Sequence, residues 1–210
     1  CGLSKPLEVE TCVLNEVNYC GFILNFPKSH RNLSFEKARE LTNIEKNKTK
    51  YVGVLVNPIE KELEDFSKLK FDYFQIYGNL NNRLLGNIKN RFNKKVISSI
   101  QVRKKEDVEN YKEVESESDI ILWDSSGYEE SLSWDFNWLK TVSTPVEKMV
   151  AGNITIEKLQ NLVRIADIID VSGALETNKV KDMVKIKNFI KETKKINDCL
   201  LYTSDAADDR

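Results

Sequence analysis

Ile168-Ile169-Asp170-Val171-Ser172-Gly173-Ala174-Leu175-Glu176 is the stretch whose reading decides the fold. A short apolar run ends in a carboxylate, and a hydroxyl, a glycine and a small residue follow it. The helical pattern then resumes at Lys181. Short continuous apolar runs mark buried parallel strands, and in such folds ligands gather beyond the carboxyl ends of the strands. Ser172-Gly173-Ala174 leaves backbone N–H groups uncovered, which suits an anion such as phosphate. An ordinary strand-to-helix turn has the same pattern, so the remainder of the chain has to decide.

Working back from that stretch, the same unit recurs. An apolar run over 146–150 ends at Ala151-Gly152-Asn153, with Thr155 placed to cap a helix to Val163. Ile120-Ile121-Leu122-Trp123 ends at Asp124, and a long loop leads to a short helix over 135–141. Strands are expected over 96–99, 73–76, 51–56 and 19–24. Helices are expected over 105–111, 80–92, from Pro58, from the N-cap Ser34 to Thr42, and from Lys5-Pro6 with Leu7, Val9, Val13, Leu14 and Val17 as its apolar face. The last helix is expected over 181–194. Seven strands alternating with eight helices imply a parallel sheet, and at this count an α/β fold of the (β/α)8 TIM barrel type. The count falls one strand short, which places most of a first strand ahead of Cys1 and leads us to expect Cys1 to be loosely held. One barrel domain over 1–195 is expected. The tail over 196–210 departs from the Lys- and Asn-rich style before it and reads as non-native or disordered.

Composition narrows the functional classes. The 210 residues are 40% hydrophobic and 31% charged, with a net charge of −1. A near-neutral, interspersed charge pattern argues against nucleic acid as a partner, and no apolar run reaches the roughly 18 residues of a membrane span. Cys1, Cys12, Cys20 and Cys199 show no metal-ligand spacing and His30 is the lone histidine, so no metal is expected and the setting reads as reduced and cytoplasmic. Trp123, Trp134 and Trp138 read as packing rather than as a stacking platform. The lysines over 181–195 read as a solvated helix face.

The strand ends are where a barrel keeps its chemistry. They bring up Cys1, the loop 25–31, Asn57, Gln75 with Tyr77, Ser98 with Ser99, Asp124, Gly152 with Asn153, and 170–174. Asp124 is the sharpest of these. Four apolar residues precede it, and a carboxyl so delivered can be desolvated and serve as a general acid. An N-cap or loop acid is the competing reading. Cys1 alone reads as an inert core thiol.

Cys1-Gly2-Leu3-Ser4-Lys5-Pro6, Gly21-Phe22-Ile23 and Phe26-Pro27-Lys28-Ser29-His30-Arg31 together resemble the opening of phosphoribosylanthranilate isomerase, an enzyme of tryptophan biosynthesis. In the same order follow Val52-Gly53-Val54, Val56-Asn57, Gln75-Ile76-Tyr77-Gly78, Leu122-Trp123-Asp124, Ala151-Gly152-Asn153, Asp170-Val171-Ser172-Gly173 and Val180-Lys181-Asp182. The resemblance implies a cofactor-free Amadori rearrangement of a small phosphorylated substrate, by a monomer or homodimer. It implies Asp124 as general acid and Cys1 as general base. Arg31, Gln75 and Asp170 would bind substrate, Arg31 holding a carboxylate bidentately. The backbone of Gly152, Asn153, Ser172, Gly173 and Ala174 would bind phosphate. This chain departs from the family pattern in Asn153 for a second glycine, in Gly173-Ala174 for Ser-Gly, in Tyr77 for a histidine, and in a glycine-poor loop carrying Gly127, Tyr128, Glu129 and Glu130. Another sugar-phosphate barrel, of the indole-glycerol-phosphate synthase or epimerase type, remains an alternative, as does a barrel that only binds a phosphorylated ligand. The synthase would want a lysine at a strand end and the epimerase more than one histidine, and neither is present.

Overall fold

A computed structural model describes residues 1–125 and 133–208. The four loop residues Gly127, Tyr128, Glu129 and Glu130 lie outside them. Seven parallel strands run in sequence order, each hydrogen-bonded to the next. They are β1 (Tyr19–Ile23), β2 (Lys50–Val56), β3 (Tyr73–Tyr77), β4 (Lys95–Val102), β5 (Ile120–Ser125), β6 (Glu147–Val150) and β7 (Ile168–Ile169). Helices α1 (Pro6–Leu14), α2 (Phe35–Thr42), α3 (Glu60–Ser67), α4 (Asn82–Phe92), α5 (Leu159–Leu162) and α6 (Met183–Asp208) alternate with them. The fold is of the (β/α)8 barrel type.

Side chains alternate with the pleat, so each strand feeds two cores. Phe22, Tyr51, Phe74, Ile121 and Trp123 point outward into the layer beneath the helices. Val54, Tyr73, Tyr77, Ile97, Leu122 and Met149 point inward and fill the barrel. On β5 the inward set is Ile120, Leu122 and Asp124, so the same alternation that buries two apolar residues aims the acid at the barrel mouth. Asp170 follows Ile168 in the same way.

Residues 1–3 occupy the gap between β7 and β1. The Cys1 backbone nitrogen donates to Val171 O at 2.9 Å, and those of Gly2 and Leu3 both donate to Gly21 O. Ser172 Oγ donates to Cys1 O at 3.0 Å. Cys1 is therefore tied on both sides, contrary to the expectation of a loosely held residue. Gly21 makes this possible, because a Cβ there would sit 2.9 Å from the Cys1 sulfur.

Several elements differ from the sequence reading for local reasons. Leu7 and Leu14 are 61% and 79% exposed, and α1 instead buries Val9, Cys12 and Val13 together with Glu8. The Glu8 carboxylate is retained there because it accepts the Ser4 and Lys5 N–H groups at the helix start. β4 continues to Val102, which leaves Ser98 and Ser99 in mid-strand. The Ser98 hydroxyl stays within the strand because it pairs with Ser118 Oγ at 2.6 Å. Residues Lys105–Glu113 form a 3-10 helix. Trp123 and Trp134 pack as expected, with their indole N–H groups on Val108 O and Ala151 O.

Two differences concern the end of the chain. Lys181 does not open the last helix. It lies on an antiparallel hairpin, β8 (Glu176–Thr177) with β9 (Val180–Lys181), turned by Asn178 and Lys179 at φ +51 and +62. Two successive left-handed residues make the tight turn that matches strand twist. Helix α6 starts at Met183, with Asp182 Oδ1 accepting the N–H groups of Val184 and Lys185. It then runs to Asp208, into the stretch the sequence reads as a non-native or disordered tail; residues 195–208 contain neither glycine nor proline to stop a helix.

Candidate active site

A cleft of about 90 Å3 opens at the carboxyl ends of the strands. Cys1, Arg31, Asp124, Gly152, Asn153, Asp170, Ser172, Gly173 and Ala174 all line it. Every site residue expected from the sequence is thus brought together except Gln75. That side chain is 3% exposed and lies one pleat deeper than Tyr77, which lines the cleft in its place. Gln75 Nε2 donates to the Tyr77 hydroxyl at 3.2 Å, so any influence it has on a ligand passes through that phenol.

Asp124 accepts from three donors. Its Oδ2 takes the Tyr77 hydroxyl at 2.8 Å, and its Oδ1 takes the Ser125 N–H at 2.7 Å with the Ser125 hydroxyl at 3.3 Å. Burial nonetheless raises its carboxyl to about 6, since the low-dielectric mouth disfavours the anion more than these donors favour it. The nearby Asp170 charge pushes in the same direction. Asp170 Oδ1 lies 3.7 Å from the Cys1 backbone nitrogen, which places the thiol-bearing residue and the second acid side by side.

The part of the cleft around Arg31 is ionic. Arg31 does hold a carboxylate with both ends of its fork, but it is the protein's own. Nε reaches Glu176 Oε1 at 2.5 Å and the terminal nitrogen reaches Oε2 at 2.9 Å. Lys181 Nζ adds 2.9 Å to Oε1, and His30 Nε2 stands 3.1 Å from Oε2. Burial would raise the Glu176 carboxyl, but Arg31 and Lys181 outweigh it and hold it at about 2. Burial lowers the Lys181 ammonium against the pull of Glu176. Lys181 also donates to Ser172 O at 3.0 Å, so the hairpin braces the loop that follows β7. Gly2, at φ +74, lets the Arg31 stem pass, since a Cβ there would lie 2.5 Å from Arg31 Cδ. Sequence reasoning missed Glu176 and Lys181; the available signal was an acid and a base on either side of Asn178-Lys179.

The last two strand ends form a cup of backbone donors. Gly152 and Asn153 have φ values of +111 and +45, so asparagine takes up the left-handed conformation that the departure from glycine requires. Ser172 precedes a single 3-10 turn, Gly173–Leu175. The N–H groups of Gly152, Asn153, Ser172, Gly173 and Ala174 donate to no acceptor among the described residues. Chemically the cleft combines a carboxyl that can be protonated near neutral pH, a cysteine, and open donors for an anion.

Comparison with known proteins agrees with this arrangement. The family model described as N-(5'-phosphoribosyl)anthranilate (PRA) isomerase matches residues 1–192. The N-(5'-phosphoribosyl)anthranilate isomerase of Streptococcus mutans is 30% identical over 198 residues, covering 93% of this chain and 97% of that one. The phosphoribosyl anthranilate isomerase structure from Thermotoga maritima superposes with a TM-score of 0.80 at 25% identity, over 92% of this chain and 96% of that one. A phosphoribosyl anthranilate isomerase in complex with reduced 1-(o-carboxyphenylamino)-1-deoxyribulose 5-phosphate superposes with a TM-score of 0.77, at the same identity and coverage.

Proposed function

Because the chain belongs to the N-(5'-phosphoribosyl)anthranilate isomerase family, we propose that Asp124 and Cys1 divide the proton transfers of its reaction between them. The reaction is the isomerisation of N-(5-phosphoribosyl)anthranilate to 1-(2-carboxyphenylamino)-1-deoxyribulose 5-phosphate in tryptophan biosynthesis. Asp124 gives its proton to the furanose ring oxygen, the C1–O bond breaks toward that oxygen, and a Schiff base forms between C1 and the anthranilate nitrogen. Cys1, as thiolate, removes the proton from C2, and the resulting enolamine tautomerises to the ketone. An acid and a base on different sides of the sugar are what such a sequence needs. Asp170 faces the anthranilate amine, and Arg31, steadied by Glu176, presents positive charge to the anthranilate carboxylate. The open N–H groups of Gly152, Asn153, Ser172, Gly173 and Ala174 receive the phosphate, as barrels commonly arrange after strands seven and eight.

The observation that carries this reading is that Asp124 and Cys1 reach one cleft from β5 and from the junction of β7 with β1, beside those open donors. The chain acts as one barrel domain over 1–195, in the cytoplasm, as a monomer or homodimer. No helix among the described residues is long and apolar enough to cross a membrane. Turnover of N-(5-phosphoribosyl)anthranilate by Cys1→Ala and Asp124→Ala tests the roles. Each is expected to lose about 10²–10⁴-fold in kcat/KM, and full activity in either removes that residue from the mechanism.

A further inference from the structure

Tyr77 closes β3 with its ring inside the barrel, between Gln75 below and Asp124 across the mouth. Its hydroxyl is a donor to Asp124 Oδ2 at 2.8 Å and an acceptor from Gln75 Nε2 at 3.2 Å. The two strands that carry this chain of bonds are separated by β4, so the contact spans the barrel mouth rather than a ladder pair. A residue that only filled space here would need no hydroxyl. The phenol is 9% exposed, and its proton stays with it, because burial and then the charges of Asp124 and Asp170 hold its ionisation far above the usual range.

We infer that Tyr77 is a positioning residue for the isomerisation, aiming Oδ2 of Asp124 at the cleft and receiving the negative charge that remains there after the proton has left. The inference rests on Asp124 being the general acid. In the transfer the carboxyl proton passes to the ring oxygen and the pair of the C1–O bond goes with that oxygen. Asp124 becomes an anion, and the Tyr77 bond to it changes from a neutral to a charge-assisted hydrogen bond, roughly twice as strong. The phenol therefore favours the state after transfer over the state before it. Gln75 strengthens the effect by donating to the phenol oxygen, which polarises its O–H. The groups facing Asp124 are Tyr77 from β3, Asp170 after β7, Ser125 beside it, uncharged Gln101 across the β4 ladder, and Cys1 and Arg31 on the cleft wall.

The test uses the full chain, with Tyr77→Phe, Gln75→Met and a control, Tyr73→Phe, deeper in the barrel. Two quantities are read: the carboxyl carbon-13 titration of Asp124, identified by its loss in Asp124→Asn, and kcat and KM on N-(5-phosphoribosyl)anthranilate. Tyr77→Phe is expected to move the Asp124 midpoint up by about 1–2 pH units, the loss of one donor to the anion. It should also lower kcat about tenfold while KM stays within about threefold. Gln75→Met should shift both the same way by less, and it carries the test if Tyr77→Phe does not fold. Tyr73→Phe should move neither. An unmoved midpoint or an unmoved kcat in the folded variants overturns the inference while leaving the acid assignment standing. Full activity of Asp124→Asn overturns both.

Discussion

Two carboxyls flank the cleft and are driven in opposite directions. Asp124 opens into the mouth from β5, has uncharged donors among the described residues, and is pushed up to about 6 by burial. Glu176 lies on the β8–β9 hairpin with its side chain 8% exposed beside Arg31, and is pulled down to about 2 by two cations. What separates them is the company each keeps. Burial next to neutral donors leaves an acid able to hold a proton, while burial next to guanidinium and ammonium makes a permanent anion. The first is suited to chemistry and the second to holding shape.

Making the same carboxyl-to-amide change at each position breaks the comparison open. Asp124→Asn should cost about 10²–10⁴-fold in kcat/KM and yet make the protein more stable. A carboxyl raised in the folded state binds protons more tightly there, so stability falls as pH climbs from 3.8 through about 6, and the deficit persists above it. Removing the charge returns roughly 1–3 kcal/mol at pH 7.5, visible as a higher Tm. Glu176→Gln should do the reverse. It leaves Arg31 and Lys181, whose side chains are 13% and 2% exposed, without their counter-charge. Urea unfolding should show a loss of about 3 kcal/mol, with KM raised more than kcat is lowered.

Acid sharpens the contrast. Because Glu176 is depressed on folding, its contribution is fully present above 4.5 and is lost as pH falls from there through about 2. Unfolding free energies measured over that window should decline in the wild type and decline less steeply in Glu176→Gln. The smallest effect belongs to the cup. Asn153 sits at φ +45, so Asn153→Gly should change stability and KM little, within about 0.5 kcal/mol and about twofold. Asn153→Val places a β-branched residue in the left-handed region and should lose about 1–2 kcal/mol, with a raised KM for the phosphorylated substrate.

The two regions also differ in how far they could be read from the sequence. Asp124 and Asp170 were legible because an apolar run ending in an acid states both burial and direction: the strand's period of two sends the residue after Ile120 and Leu122 into the mouth. Glu176 and Lys181 were not legible, since their meaning depends on a two-residue hairpin and on Arg31, 145 residues away in the chain. Gln75 was placed on the right face, but it lies one pleat deeper than Tyr77, which lines the cleft, and the sequence alone does not give that depth. Ser98-Ser99 suggested a strand end by composition, and a hydroxyl pair with Ser118 overrode it. Cys1 was identifiable by resemblance alone; nothing local foretold that Gly21 and Ser172 would fix it.

The most direct test of the account is a crystal structure of this chain with reduced 1-(o-carboxyphenylamino)-1-deoxyribulose 5-phosphate. The phosphate is expected about 3 Å from the N–H groups of the two final loops, with Asp124 hydrogen-bonded to the C4 hydroxyl that was the ring oxygen and Cys1 Sγ facing C2 from a different side. A phosphate bound outside those loops, or Cys1 and Asp124 out of reach of the sugar, would contradict it.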